Sequence, residues 1–206
     1  MALVIVDYNA GNLRSVQRAC AAAEVDARVE SDPEALLRAS RIIFPGVGNA
    51  QSAMETLKAS GLDQALTAAV HKGIPVLGIC VGAQLILDSS EESTIPCLGW
   101  IAGKTRRFRL ADPSLKVPHI GWNEVKAQKA HPLLGGLQAG DEFYFVHSYY
   151  PDPADKAHVY AAADYGGEFC CALGKDNLFA TQFHPEKSGR FGLELLSRFS
   201  RWEGTC

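Results

Sequence analysis

The stretch LGICVGAQL, Leu77 to Leu85, decides the fold. It continues the apolar run IPVLGI, which reads as a buried strand, and then passes without a polar break into a segment, Val81 through Leu87, with the composition of a buried helix. Between the two stands a cysteine with a glycine two residues to either side. A sharp strand-to-helix turn that presents a reactive side chain holds that residue in a strained conformation, so the positions two away must be small. Gly78 and Gly82 meet that demand, and the helix would aim its positive N-terminal end at the sulfur of Cys80, favouring the thiolate. A buried structural cysteine in a glycine-loosened βα turn fits the pattern G-x-C-x-G equally well.

Working outward, VIVDYNAGN joins a short apolar strand to a turn, and NLRSVQRACAAAE places Leu13, Val16, Cys20 and Ala23 on one helical face with Asn12 as its cap. A strand near Ala27 to Glu30, a helix from Pro33 to Ala39, the strand RIIFP and helices within Ala50 to His71 lead back to the starting strand. Such alternation predicts an α/β fold whose central sheet is mostly parallel and flanked by helices. After Ser93 the texture changes. KTRRFRL, KVPHIGWNEVKA, EFYFVHSYY, HVYAAADYG and FCCALGKDNLFATQF are short β-rich segments between Gly, Pro and Asp turns, which predict an antiparallel extension, and Gly192 to Trp202 reads as a closing amphipathic helix.

Size and charge narrow the function classes. A chain of 206 residues, 47% apolar and 21% charged, with no repeat, low-complexity tract or linker, predicts one domain spanning 1–206. A net charge of -3 gives no electrostatic reason to bind nucleic acid or an anionic membrane. Met1 to Val6 lacks the basic flank and the length of a signal sequence, and no apolar run approaches the roughly 20 residues of a membrane span, so a cytoplasmic protein is expected. The six cysteines form no CxxC pair and show no zinc spacing with histidine, so no metal site is expected and a core or surface thiol is the default for each.

A thiolate nucleophile needs a proton carrier and a group to orient it. TQFHPEKSG supplies His184 and Glu186 two positions apart after an apolar strand, where an extended backbone points both side chains the same way and Pro185 favours that backbone. Alone, these two are an ordinary strand-end histidine and a solvated carboxylate; beside the cysteine turn they read as base and orienter. IIFPGVGNA adds Gly46 and Gly48 after a strand, a segment able to offer a backbone N–H to a developing oxyanion or to cradle a phosphate. It lacks the third small residue of a dinucleotide fingerprint, and the chain has no G-x-x-x-x-G-K-[ST], which disfavours nucleotide binding; no cofactor is expected.

GICVG followed by HPE, in the order Cys, His, Glu, resembles the class I (triad) glutamine amidotransferases. DYNAGNLRSV, FPGVGNAQSAM, KVPHIGWNEV, FYFVHSYY and QFHPEKSG, over Val4 to about Phe199, are similar to the glutaminase subunits of imidazole glycerol phosphate synthases of histidine biosynthesis. Sister glutaminases usually carry PGPG or paired glycines where this chain has PGVG. The chain departs from the family at Val81 and Ala83, where Leu and Met are usual, and at CLGW, usually closer to GLGL. The resemblance implies a flavodoxin-like fold and a Cys80–His184–Glu186 triad, with the N–H groups of Val47 and Val81 as oxyanion donors. It further implies glutamine recognition by Gly48, Gln84, Glu92 and the main chain of His147, Ser148 and Tyr149. The implied partner is a cyclase subunit with a (β/α)8 barrel, docked on a face that includes Asn12, Trp122, Tyr144 and Lys187. Two alternatives remain at this level: the glutaminase of another pathway, such as anthranilate or pyridoxal phosphate synthase, and an idle binding subunit.

Overall fold

The computed structural model describes residues 2–9 and 11–206; Met1 and Ala10 lie outside them. The first half runs β1 (Leu3–Val6), α1 (Leu13–Ala22), β2 (Ala27–Glu30), α2 (Pro33–Leu36), β3 (Arg41–Gly46), α3 (Ala50–Ser60), α4 (Leu62–His71), β4 (Val76–Cys80) and α5 (Val81–Leu85). The second half runs β5 (Ser89–Ser90), β6 (Gly103–Arg107), β7 (His119–Glu124), β8 (Lys126–Ala127), β9 (Glu142–His147), β10 (Tyr149–Pro153), β11 (Val159–Asp164), β12 (Glu168–Lys175), β13 (Leu178–Thr181) and α6 (Gly189–Phe199).

Eight strands form the central sheet in the order β2-β1-β3-β4-β13-β12-β11-β8. The first five are parallel, and β12, β11 and β8 continue it antiparallel. Every residue of β1, β4 and β13 is buried, because helices cover both faces of the parallel part and leave no side for water. The helices supply the matching stripes: Leu62, Ala65, Leu66 and Ala69 of α4, and Gly192, Leu195, Leu196 and Phe199 of α6, are the buried residues of those helices at i, i+3, i+4 and i+7. Asn49 caps α3 by accepting from the N–H groups of Gln51 and Ser52, and Asp32 caps α2 through Glu34.

Two smaller sheets, β10-β6-β5 and the antiparallel ribbon β7-β9, carry the antiparallel extension. Chain direction places the ends of β3, β4 and β13 side by side, with Gly46 opposite Cys80 and Thr181 opposite Ile79. This is the carboxyl edge of an open α/β sheet, where such folds put their ligands.

Some expectations need correction. Asn12 does precede α1, but its side chain makes no capping bond; the residue sits in the left-handed region at φ 62° and spends its amide elsewhere. Helix α2 stops at Leu36 rather than Ala39, and α5 at Leu85 rather than Leu87. The closing helix occupies Gly189–Phe199, starting three residues before the expected Gly192. Its early start follows from the HPE turn, because a Cβ at Gly192 would overlap the Pro185 carbonyl oxygen, so only glycine lets α6 pack that closely against it.

Candidate active site

Cys80 ends β4 at φ 54°, ψ −107°, a conformation that a side chain rarely tolerates, and the chain turns directly into α5. Its neighbours have no room for side chains. A Cβ at Gly82 would overlap the Phe44 carbonyl oxygen, and one at Gly78 would lie 3.0 Å from the Ala180 Cβ and 3.2 Å from the Ala83 nitrogen. The two glycines therefore serve close packing of the elbow against β3 and β13. Val81 and Ala83 are buried in the core.

His184 reaches the same cleft from β13, though not along an extended strand. Pro185–Lys187 form a single 3-10 turn, and that turn, rather than strand alternation, brings Glu186 back onto His184. The backbone is held there by His184 N–H donating to the Tyr144 carbonyl at 2.9 Å and by the Ser188 hydroxyl donating to the His184 carbonyl at 2.6 Å. His184 Nδ1 lies 2.7 Å from Glu186 Oε1, with both side chains 1% exposed. A carboxylate can only accept, so Nδ1 carries the hydrogen, and Nε2 is left buried and unpartnered among the described residues. Burial pushes the His184 pKa down; the negative charge of Cys80 and the Glu186 carboxylate outweigh it and raise it to about 10.

Asn12 completes this arrangement. Its Nδ2 donates to the same Glu186 Oε1 at 2.7 Å, whereas Glu186 Oε2 has no partner among the described residues.

A cleft of about 400 Å³ joins these groups. Its walls include Val47, Gly48, Cys80, Val81, Gln84, Glu92, His147, Ser148, Tyr149, His184 and Lys187, together with Pro118 and Val146. Three larger grooves, of about 610, 660 and 550 Å³, lie elsewhere and, among the described residues, bring together no thiol and imidazole. The thiol in the first, Cys170, is pushed up to about 12 by burial, as is Cys20; burial also raises Cys97 to about 11 and Cys171. Cys20, Cys170 and Cys171 are buried core thiols, and Cys97 is partly buried against the core.

Individual positions sharpen or shift. Gly48 takes φ +90°, open only to glycine at low cost. Gln84 is buried and donates through Nε2 to the Tyr149 carbonyl at 3.1 Å and to Gln182 Oε1 at 2.9 Å. The Glu92 carboxylate accepts from Ala50 N–H at 2.7 Å, at the N-terminus of α3. The His147 side chain sits in a buried aromatic cluster, with Phe108 and Phe169 about 5 Å away. Trp122 and Tyr144 lie directly opposite each other on the outer face of the β7-β9 ribbon, their rings 6.0 Å apart, and Lys187 Nζ is 5.6 Å from the Tyr144 ring. Trp122 is 52% exposed, and Ile120, two residues before it on β7, is 60% exposed.

One residue escaped the sequence reading. Gln182 is fully buried, and its Nε2 donates to Cys80 Sγ at 3.6 Å. A signal was present: an amide two residues before His184, at the end of an apolar strand, has to spend its hydrogen bonds inside the protein.

The family model described as glutamine amidotransferase class-I matches residues 4–201. The imidazole glycerol phosphate synthase subunit HisH of Dechloromonas aromatica (strain RCB) is 47% identical over 98% of this chain and 96% of its own length. That of Dehalococcoides mccartyi (strain CBDB1) is 46% identical over 96% and 95%. Among solved structures, PurLQS from Thermotoga maritima superposes with a TM-score of 0.73 at 17% identity, covering 96% of both chains. The crystal structure of a glutamine amidotransferase gives 0.71 at 19%, covering 94% of this chain and 98% of that one; likenesses at these identities establish the fold alone. A cysteine elbow facing a carboxylate-bound histidine on this sheet, with a family match over nearly the whole chain, leads to one conclusion: the chain belongs to the class I glutamine amidotransferases.

Proposed function

We propose that this chain is the glutaminase subunit of an imidazole glycerol phosphate synthase, hydrolysing glutamine to glutamate and ammonia for a cyclase subunit. The observation that carries the chemistry is Cys80, held at φ 54° in the same cleft as the unpartnered Nε2 of His184. Relatives at 46–47% identity over nearly the full length support the pathway.

Cys80 Sγ attacks the carboxamide carbon of glutamine, and the carbonyl oxygen, now negative, takes hydrogen bonds from the Val47 and Val81 N–H groups. His184 gives the proton from Nε2 to the departing nitrogen, so ammonia leaves and a thioester to Cys80 remains. His184, now neutral, takes a proton from water, the hydroxide adds to the thioester carbon, and the C–S bond breaks to return Cys80 and release glutamate. Glu186 keeps Nδ1 protonated and balances the imidazolium. Gly48, Gln84, Glu92 and the His147–Tyr149 main chain hold the substrate.

Ammonia must leave unprotonated to remain a nucleophile, which favours an acceptor enzyme docked over the cleft. The exposed Ile120 and Trp122 on the ribbon beside the cleft, with Tyr144, Lys187 and Asn12 near its mouth, support that face as the seat of a (β/α)8 cyclase subunit. The test is Cys80→Ala in complex with the cyclase. Glutamine-dependent synthesis is lost and ammonia-dependent synthesis is retained; glutamine hydrolysis persisting in the purified variant complex overturns the assignment.

A further inference from the structure

The β7-β9 register sets His119 directly opposite His147, both 3–5% exposed, with Nδ1 of the first 3.0 Å from Nε2 of the second. Phe108, Phe145, Tyr165 and Phe169 enclose the pair, and Tyr165 stacks on His119 at 4.0 Å. Phenylalanines could fill such a cage without the cost of burying polar nitrogens, so the two imidazoles need a reason.

Their hydrogen bonds run one way. His147 Nδ1 is 2.8 Å from the Tyr149 carbonyl, which can only accept, so Nδ1 carries the hydrogen and Nε2 is an acceptor. His119 Nδ1 must then be the donor to it, leaving His119 Nε2 to accept from the Asn123 amide at 3.4 Å. The other lone pair of the Tyr149 carbonyl takes Gln84 Nε2, which also reaches Gln182, and Gln182 reaches Cys80. Every imidazole nitrogen of the pair is used, and both chains of bonds converge on one carbonyl at the corner between β9 and β10.

We propose that His119 and His147 are positioning residues of the glutamine site, a buried relay that fixes the Tyr149 carbonyl and, through it, Gln84 and the His147–Tyr149 corner. The inference rests on the glutaminase reading. Burial lowers the pKa of His119 to about 4; burial, then the His119 and His184 charges, lower His147 to about 3, so the pair carries no charge near neutrality and acts by geometry. Its loss therefore weakens substrate binding more than chemistry.

The test uses the full chain and two alkylating probes of Cys80, azaserine, which has the shape of glutamine, and iodoacetamide, which does not. His147→Phe keeps the packing and drops both hydrogen bonds; the azaserine rate falls about tenfold relative to iodoacetamide, and in the complex KM for glutamine rises about tenfold with kcat within about threefold. His147→Asn, whose amide N–H can take the place of Nδ1–H, recovers only part of the loss because the bond from His119 stays broken, while His147→Gln, which reaches only the Nε2 position, recovers none. If the Phe variant does not fold, the Asn and Gln pair carries the comparison. Wild-type chain that azaserine fails to label removes the glutaminase reading itself. Normal labelling of wild type, with equal azaserine-to-iodoacetamide ratios across the folded variants, overturns the relay.

Discussion

Asn12→Gly isolates the contribution of the group behind the triad. Asn12 donates at 2.7 Å to Glu186 Oε1, the same atom that holds His184, and the Glu186 side chain is 1% exposed. Water cannot replace the lost donor there, and among the described residues Oε2 already lacks a partner. A hydrogen bond to a buried charge contributes about 1.5–3 kcal/mol, equivalent to about 10- to 150-fold in rate if all of it is felt at the transition state. The histidine is already stabilised as imidazolium in the resting site, so part of the loss falls on the ground state and a fall of about tenfold in kcat is expected. Glycine is chosen because Asn12 sits at φ 62°, where alanine would add about 1–2 kcal/mol of backbone strain unrelated to the triad. Asn12→Asp keeps the size and places a second carboxylate against Glu186, so it should lose more activity than glycine. The assay is glutamine turnover at saturating cyclase with partner affinity measured separately, since Asn12 also lies on the proposed docking face. Unchanged kcat at saturation, or an aspartate variant as active as the glycine variant, refutes the bracing role.

At Val47, a proline removes the proposed oxyanion donor and should cost about 10²–10³ in activated turnover while alanine is mild; equal losses for the two would place the donor elsewhere. Gly82→Ala has no space before the Phe44 carbonyl, so its thermal midpoint should drop by several degrees, and a variant as stable as wild type would contradict the close packing at the elbow. His131, like the relay pair, is held neutral by burial, with its pKa near 4, and its Nδ1 accepts from Leu133 N–H. A depressed histidine pKa means that the unfolded chain binds the proton first. Stability is complete above about pH 6.5 and falls by about 1.4 kcal/mol per pH unit for each such group as pH drops toward 4. His131→Asn keeps the acceptor and removes the titration; urea unfolding at several pH values should show a shallower acid slope, and an unaltered slope would discard the argument.

How far the sequence alone reached depended on the range of the interaction. The strands and most helices were legible because burial on both faces writes continuous apolar runs into β1, β4 and β13, and one-sided burial writes i, i+3, i+4 and i+7 stripes into α4 and α6. The elbow was legible for a local reason too, since Gly78, Cys80 and Gly82 lie within five residues and their constraint is steric. What strand alternation suggested for His184 and Glu186 was their adjacency, while the mechanism of that adjacency, a 3-10 turn bound to Tyr144 and Ser188, required contacts from β9 and from the residue that precedes α6. Asn12 looked like a helix cap because capping is decided within four residues, yet a buried carboxylate 174 positions away claimed its amide. His119 and His147 are 28 residues apart and acquire a relay only through the register of one ribbon. Local sterics and hydrophobic period are encoded in neighbouring residues and can be read there; the destination of a buried hydrogen bond is a property of the packed chain, and tertiary structure alone decides it.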